Sequence, residues 1–459
     1  MYEPVHGPLH ERGRAFALLL FPQLRESRIE DIVPMIDRIN AYFHFHNNHL
    51  RPSAYVKELQ DRKLRKMIEH AYGTSGFYRD LMERAGVRPG EISTVSDLRR
   101  MPTVTKDDIQ VNFNSIISRK YDPEKCIVRT TSGSSGKMLR VIWDDFNFLS
   151  RLLLYYRAFA MIGYTPFKKL VYFLPVVEDA GFTFGLFRQK GLTLDRPFEE
   201  VREFLLKYRP HILSIYPSYA ADLAAFLSDD DVKKIGLQAI SLNSEMILSN
   251  DRSLIEEKYR CPAYEEYSCV EAGVIAGMCR CKGMHVFSDN VVVEILDSAG
   301  NPAGPGERGE VVLTALNSFA MPLIRYRIGD ISSLSGETCP CGSGMPLLGR
   351  IEGRKDDFFL LEGDRRVPAW MIYEAIERPL HGYGDESLVL SDFYLVQRGR
   401  DRADFYFVKG PNFSRDYVND MMVRSRDLFG PGFTLKVTEL DDIDRVKAVK
   451  RKYIHSEIN

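Results

Sequence analysis

The sequence predicts an α/β protein in two units. A large N-terminal unit over residues 1–353 holds mixed sheets covered by helices and begins with a helical opening over 1–120; a small α+β unit over 354–459 follows. Three observations predict this. Short apolar runs alternate with amphipathic stretches from Cys126 onward, strands joined by Gly/Pro turns take over between 286 and 335, and the rhythm changes again after GRIEGRKDD at 349–357. A chain of 459 residues, 44% hydrophobic and 27% charged, is long enough for more than one core and too apolar for a disordered chain.

The elements follow in order. Ile29, Ile32, Val33, Ile36 and Ile39, then Leu59, Leu64, Met67 and Ile68, recur at helical spacing and give the opening layer. The runs VYFLP (171–175), ILSIYP (212–217) and AISL (239–242) read as strands, separated by helical patterns at 199–207, 219–227 and 246–258, so a mainly parallel sheet covered on both faces is expected. VVVEILD and EVVLTAL flank SAGNPAGPGERG and read as antiparallel strands. In the small unit, FYLVQR and DFYFVKG flank a polar turn at 399–403, a helix is expected at 414–428, and FTLKVTEL supplies another strand. A hinge is placed near Gly353.

With 62 Lys plus Arg against 63 Asp plus Glu, the net charge is -1, which gives no global field toward nucleic acid or an anionic membrane. AFALLLF at 15–21 is too short to span a bilayer and has no small-residue cleavage site after it, so a mature cytoplasmic protein is expected. Seven cysteines in this length do not make a disulfide framework. Four of them form two C-x-C pairs, Cys279/Cys281 and Cys339/Cys341, which together with His285 offer five candidate ligands for a four-coordinate metal; free buried thiols are the plain alternative. His44, His46 and His49 have no Cys or acidic partner close in sequence and read as a surface or packing feature.

Residues 130–137 read TTSGSSGK. The hydroxyls of Thr131, Ser132, Ser134 and Ser135, the backbone at Gly133 and Gly136, and Lys137 suit a loop that wraps phosphate oxygens. The spacing is not that of a Walker loop, because two residues separate the glycines and Met138 follows the lysine. CIVR and LRVIW on either side read as strands, so the loop is a strand-to-strand connection; a flexible hairpin tip is the simpler alternative.

These strings come in a recognisable order: TSGSSGK, then Pro217-Ser218, NSE at 243–245, YSCVE at 267–271, MPLIRYRIGD at 321–330, CPCG at 339–342 and GRKDD at 353–357. In this order, with FYRDLMERAGV and MPTVTKDDIQ before them, the chain resembles the adenylate-forming enzymes over about residues 55–455, and more narrowly the phenylacetate-CoA ligase family and its CapK-type relatives. The resemblance implies a large adenylate-forming domain followed by a mobile C-terminal domain. It implies ATP-dependent activation of a carboxylic acid, aryl or otherwise, and transfer of the acyl group to coenzyme A. An amine, a hydroxyl or a carrier thiol is the alternative acceptor, and a silent binding protein that keeps the fold is a third reading.

The resemblance also implies roles. Glu271 holds Mg²⁺, Tyr267 lies beside adenine, and Asn243, Ser244 and Glu245 line the adenine pocket. Asp330 and Arg354 take the ribose hydroxyls, and Asp356 is the hinge about which the small domain turns. Aligning Ile443 and Arg445 with the family's ending puts Lys450 at the catalytic lysine, with Lys447 as the alternative. Ser268 and Val449 stand where the family has glycine. For the metal, relatives point to structural Zn²⁺ on Cys279, His285, Cys339 and Cys341 first, with Cys281 as a substitute for His285. Arg325 and Arg327 read more simply as ion-pair partners. Phe173, Phe182, Phe184 and Phe187 are candidates for an acid-binding wall, with core packing equally expected. The expected partners are a small-molecule acid and coenzyme A or another acceptor, with no nucleic acid and no membrane; a homodimer is left open.

Overall fold

The computed structural model describes residues 47–131, 139–174, 188–247, 249–355, 357–377, 389–410, 413–441, 443 and 453–458. Helices α1 (Ser53–Thr74), α2 (Gly76–Arg84), α3 (Lys106–Val111) and α4 (Phe113–Ile116) form the opening layer, in keeping with the apolar spacing of Leu59, Leu64, Met67 and Ile68. Strands β1 (Ile127–Thr130) and β2 (Arg140–Trp143) pair antiparallel on either side of the glycine-rich loop, as the flanking sequences predict. Helix α5 (Asp145–Met161) follows, its first turn fixed by the Asp144 carboxylate, which accepts from the Asn147 amide at 2.9 Å.

The next stretch is the α/β alternation. Its elements are β3 (Lys169–Leu174), β4 (Arg188–Thr193), α6 (Phe198–Tyr208), β5 (Ile212–Ile215), α7 (Pro217–Phe226), α8 (Asp229–Ile235), β6 (Ala239–Leu242), α9 (Ser249–Tyr259) and β7 (Ala263–Cys269). The chain then turns back through β8 (Gly273–Met278) and β9 (Met284–Val286), runs through β10 (Val291–Leu296), β11 (Gly309–Ala315) and β12 (Tyr326–Ser332), and closes with β13 (Leu334–Ser335) and β14 (Leu347–Leu348). Nine strands make one sheet in the order β13-β14-β9-β8-β7-β6-β5-β3-β4. The run from β4 to β7 is parallel, whereas β8, β9, β14 and β13 extend the same sheet antiparallel. The sheet is therefore more evenly mixed than the mainly parallel sheet that the sequence suggests.

Both faces of the parallel half are covered. Val171, Phe173, Leu213, Ile215, Ile240 and Leu242 pack on α6 to α9 in one apolar core. Leu170, Ile212, Ala239 and Tyr264 meet Tyr156 and Phe159 of α5 on the other face. Strands β10, β11 and β12 form a separate antiparallel sheet whose Val291, Val311 and Leu313 share the largest core with Leu64, Met67 and Tyr78 of the opening helices. After residue 357 come β15 (Phe358–Leu360), β16 (Arg366–Pro368), α10 (Ala369–Glu377), β17 (Leu390–Gly399), β18 (Arg402–Lys409), α11 (Arg415–Phe429), β19 (Thr434–Leu440) and β20 (Ile454–Ser456). Phe359, Ile372, Phe393, Phe405, Tyr417 and Ile454 form their own core around the sheet β19-β18-β17-β20.

One buried polar node joins these layers. Arg157 on α5 and Asp289 between β9 and β10 are both fully buried and paired through two bonds of 2.7 and 2.6 Å. Asn48 donates to Asp289 Oδ2 at 2.7 Å, and Lys63 on α1 donates to the Asp289 carbonyl at 2.7 Å and to Asn317 Oδ1 at 3.0 Å. Burial opposes the Asp289 charge, but Arg157, Lys63 and Asn48 outweigh it and hold the carboxyl well below its usual range. Its contribution is therefore present above the ordinary carboxylate range and is lost only as pH falls through the lowered folded value. Asp289→Asn should cost roughly 3–5 kcal/mol at pH 7, because Arg157 is left buried without its counter-ion. Denaturant unfolding of the two proteins checks this, and a loss under about 1 kcal/mol, the size of a surface pair, would contradict it.

Candidate active site

The site is built around the turn between β7 and β8. Gly273, at φ +76°, lets the chain reverse after Glu271, and a Cβ there would lie 3.0 Å from Arg151 Cγ. Arg151 on α5 is buried; it donates to the Glu271 carbonyl at 2.7 Å, takes its Nε partner from Asn147 Oδ1 at 2.8 Å, and stacks over Trp143 with its guanidinium carbon 4.1 Å from the ring centre. The Trp143 indole in turn donates to the Val270 carbonyl at 3.2 Å. At the neck of the glycine-rich loop the Thr131 amide donates to the Leu139 carbonyl, and the Leu139 amide donates to the Thr131 hydroxyl, both at 2.9 Å. The loop's base, helix α5 and the Glu271 turn are thus one hydrogen-bonded assembly. Ser132, Gly133, Ser134, Ser135, Gly136 and Lys137 lie outside the described residues, as do Asp356, Lys447, Val449 and Lys450.

Glu271 is buried, and one carboxylate oxygen accepts from the Tyr326 hydroxyl at 3.1 Å. Tyr267 donates to Asp330 Oδ2 at 2.6 Å, and the other Asp330 oxygen meets Arg354 Nε at 3.2 Å, with an antiparallel bridge joining Asp330 and Arg354 through the backbone. Burial works against the Arg354 charge, yet Asp330, Glu271 and Asp357 outweigh it and raise its pKa. Burial and the neighbouring Asp330 together push the Tyr267 phenol well above its usual range. Tyr267, Glu271, Asp330 and Arg354, assigned separately in the sequence, therefore share one electrostatic neighbourhood. Arg325 and Arg327 are ion-paired with Glu294 and Glu310, the simpler of their two readings.

The NSE segment is bonded into the scaffold. Both Glu245 oxygens accept from Ser218, one from its amide and one from its hydroxyl, each at 3.0 Å, so Glu245 caps the start of α7. Asn243 donates to Ser214 Oγ at 3.0 Å, and Ser244, at φ +70°, donates to Asn243 Oδ1 at 2.9 Å. Phe173 does not form part of a wall on this side. It is buried on the opposite face with Tyr219, because strand alternation points it toward α7. Phe182, Phe184 and Phe187 lie outside the described residues.

The cysteine clusters meet. Ligand atoms of Cys279, His285, Cys339 and Cys341 all lie within 4.8 Å of one another, with Cys279 and Cys339 sulfurs 3.5 Å apart and Cys341 Sγ 3.2 Å from His285 Nε2. The Cys281 side chain is not part of this set: it is exposed in the turn between β8 and β9, which corrects its candidacy as a substitute ligand. Its amide instead turns toward the Cys279 sulfur, as the Cys341 amide does toward Cys339 and that of Ser343 toward Cys341. His285 Nδ1 faces the Met345 carbonyl at 3.3 Å, leaving Nε2 toward the sulfurs. A Cβ at Gly283 would lie 2.8 Å from Cys339 Sγ, so only glycine leaves this cradle open. His49 is buried and belongs to no such set among the described residues.

One buried acid was not singled out in the sequence. Glu266 on β7 is 7% exposed; one oxygen accepts from Ser268 at 3.0 Å and the other has no partner. Burial pushes its carboxyl up to about 7, with only the Ser268 bond acting against it. No sequence pattern marks it.

No family model matches the chain. The phenylacetate-coenzyme A ligase of Thermus thermophilus is 27% identical over 341 residues, which is 69% of this chain and 74% of that protein. CapK of Staphylococcus aureus is 23% identical over 375 residues, 74% of this chain and 77% of that protein. In three dimensions, a 2-hydroxyisobutyryl-CoA ligase captured in its postadenylation state with an acyl-AMP superposes at TM-score 0.73 and 19% identity, covering 90% of this chain and 91% of its own. An acyl acid amido synthetase superposes at 0.56 and 15% identity, over 84% and 87%. The fold is that of adenylate-forming ligases, and no helix among the described residues is long and apolar enough to cross a membrane.

The raised Glu266 carboxyl gives a signed pH prediction. Its folded pKa lies above the unfolded value, so its stabilising share is complete below about pH 4.5 and is lost as pH rises through about 7. Unfolding of the protein and of Glu266→Gln at pH 5 and pH 8 should show the wild type losing on the order of 2–3 kcal/mol relative to the variant. A difference that does not change with pH would contradict it.

Proposed function

We propose that this chain, which has the adenylate-forming fold and is related in sequence to the phenylacetate-CoA ligases and CapK, activates a small carboxylic acid with ATP and passes the acyl group to coenzyme A. The observation that carries this reading is the linked set Tyr267–Asp330–Arg354 within electrostatic reach of Glu271. Asp330 accepts two hydroxyl donors naturally and so suits a ribose, with Arg354 and Tyr267 fixing its orientation. The acid's carboxylate oxygen attacks the α-phosphorus, the bond to the pyrophosphate breaks, and a mixed anhydride with AMP forms. The coenzyme A thiolate then attacks the carbonyl carbon, and AMP leaves with the oxygen it gained.

Two anions must meet in the first step, so the site has to supply fixed positive potential. Arg151 is a buried cation within one residue's reach of Glu271, and Lys137 and Lys450 supply the rest in this reading. Glu271 offers hard oxygen to Mg²⁺, which neutralises phosphate charge when bound. Tyr326 holds one of the Glu271 oxygens and leaves the other to the cation. The hinge at Asp356 turns residues 354–459 relative to 1–353 between the two steps. A second reading keeps the adenylation and changes the acceptor to an amine, a hydroxyl or a carrier thiol, and kinship to CapK favours it as the alternative. A cytoplasmic setting suits both, since each uses cellular ATP.

Cys279, His285, Cys339 and Cys341 fit a structural Zn²⁺: three sulfurs and one imidazole at mutual separations suited to a tetrahedron, with amides turned toward the sulfurs. The ion would clip the β8–β9 turn to the loop before β14.

Two outcomes test this. Acid- and Mg²⁺-dependent exchange of pyrophosphate into ATP should be lost in Glu271→Ala, and Lys450→Ala should slow adenylation by roughly 10²-fold or more while sparing thioester formation from supplied acyl-AMP. Equal losses in the two half-reactions would reject the domain turn, and a larger adenylation loss in Lys447→Ala would move the lysine assignment there. Purified protein should also carry about one Zn²⁺ per chain. Cys339→Ser should lower the Tm whereas Cys281→Ser should not; zinc-free protein never exposed to chelator, or equal effects of the two substitutions, would contradict the assignment.

A further inference from the structure

The two faces of the parallel sheet differ in chemistry at the carboxyl ends of its strands. The face toward α6 to α9 stays apolar on three strands, with Phe173, Ile215 and Leu242, and ends on β7 in Glu265, which is ion-paired with Arg252 of α9. On the α5 face the apolar row of Leu170, Ile212 and Ala239 gives way to Tyr172, Ser214, Ser241 and Tyr264, which the strand registers place side by side. One pleat further along lie Asn243 and Glu266, then Ser268. This is the end of an α/β sheet at which ligands are bound.

A buried polar row is stable only where its members are paired. Here Asn243 pairs with Ser214, Ser268 donates to Glu266, and the Tyr155 hydroxyl bonds to Ser268. One Glu266 oxygen is left over, fully shielded and without a partner. Among the described residues no cation acts on this carboxyl: Ser268 bonds to it, and Tyr155 lies within its electrostatic reach. A native interior that leaves a carboxylate in this condition lacks a donor, and a positive one satisfies both the oxygen and the charge.

Helix α5 sets the distance from this oxygen to the chemistry. Arg151 and Tyr155 stand one turn apart on the same helix face; Arg151 reaches the Glu271 carbonyl, and Tyr155 reaches Ser268 beside Glu266. One helical turn is about 5.4 Å, so a ligand whose carboxylate lies at the Glu271 end would place a group a few atoms away against Glu266.

We propose that Glu266 determines the specificity of the acyl pocket, and that the acid it selects carries a protonated amine whose ammonium group docks on the free Glu266 oxygen. This rests on the adenylation reading given above and names the substrate class for it: a short amino acid, or an arylalkyl acid bearing an alkyl amine.

The test is pyrophosphate exchange with sets of matched acids, each an amine, its hydroxyl counterpart and its hydrogen counterpart: 3-aminopropanoate, 3-hydroxypropanoate and propanoate; alanine, lactate and propanoate; 4-(aminomethyl)benzoate and its two counterparts. In at least one set the amine should exceed its hydrogen counterpart in kcat/KM by roughly 10²-fold or more, the discrimination expected of a buried polar group left unpaired by the wrong substrate. Glu266→Gln should bring that amine down to the level of its counterpart while leaving the counterpart within about 2-fold of the wild type, a change of preference that a merely structural role would not produce. Hydrogen counterparts as good as the amines in every set would overturn the proposal, as would an equal loss on all acids in Glu266→Gln. A hydroxyl counterpart that leads its set would replace the ammonium by a neutral donor and overturn the charge assignment. Exchange with acids lacking a donor leaves the adenylation reading standing while this one falls; no exchange with any acid removes both. Because the variant keeps the side chain's shape and removes only a shielded charge, it should melt no lower than the wild type at pH 8, which shows that lost preference is not lost folding.

Discussion

The structure depends on the enclosure of Arg157 and Asp289. Two charges fully removed from water are tolerated only where each lone pair and proton has a partner, and the surrounding residues supply them. Asn48 and Lys63 bring in the opening layer, Arg157 brings in α5, and Asp289 fixes the turn into β10. From this node the bonds run on without a break. Lys63 meets Asn317, Asn317 donates to Asn290 at 2.9 Å and receives from Asn147 at its carbonyl at 3.0 Å, and Asn290 donates to the carbonyls of Ala272 and Val274. Asn147 in turn holds Arg151. The Glu271 turn is thus reached from two directions, through its neighbour Ala272 and through Arg151, and its position follows from a network whose members cannot relax independently.

Glu266 contrasts with that network. The same interior that gives the Asp289 carboxylate three hydrogen bonds leaves a second buried carboxyl, Glu266 on β7, with one. Burial raises the free energy of both charges; only for Asp289 does the protein itself answer it. Departures of this kind are concentrated where a ligand completes the structure. The zinc candidate stands apart from this. Its sulfurs and imidazole hold one turn to one loop at the edge of the sheet and offer no open position for chemistry.

Much of the fold is legible in the sequence because the patterns are periodic. VYFL, ILSI and AISL lie on β3, β5 and β6, and the polar turn at 399–403 joins β17 and β18. Helix α5 escapes, since LLLYYRAFAM is apolar around much of its circumference and meets two cores, so it presents no single stripe. Strand β4, RQKGLT, escapes because an edge strand need not be apolar. Tyr267, Asp330 and Arg354 are singled out by motif order, yet the bonds joining them are not, because one crosses 63 positions of chain and the other joins two separate motifs. Which face Phe173 takes depends on which helices cover the sheet. Glu245 as a helix cap and Glu266 as a buried acid are invisible for the same reason: an acidic letter in a sequence carries no sign of its burial.

The central claim is that a carboxylate oxygen attacks the α-phosphorus of ATP at the site held by Glu271, Asp330 and Arg354. Following that oxygen tests it most directly: an accepted acid labelled with ¹⁸O in its carboxylate is turned over with ATP and coenzyme A, and the products are weighed by mass spectrometry. Adenylation transfers one ¹⁸O to each AMP formed and leaves the pyrophosphate unlabelled. Label in inorganic phosphate with ADP as co-product, or AMP free of label, would contradict it.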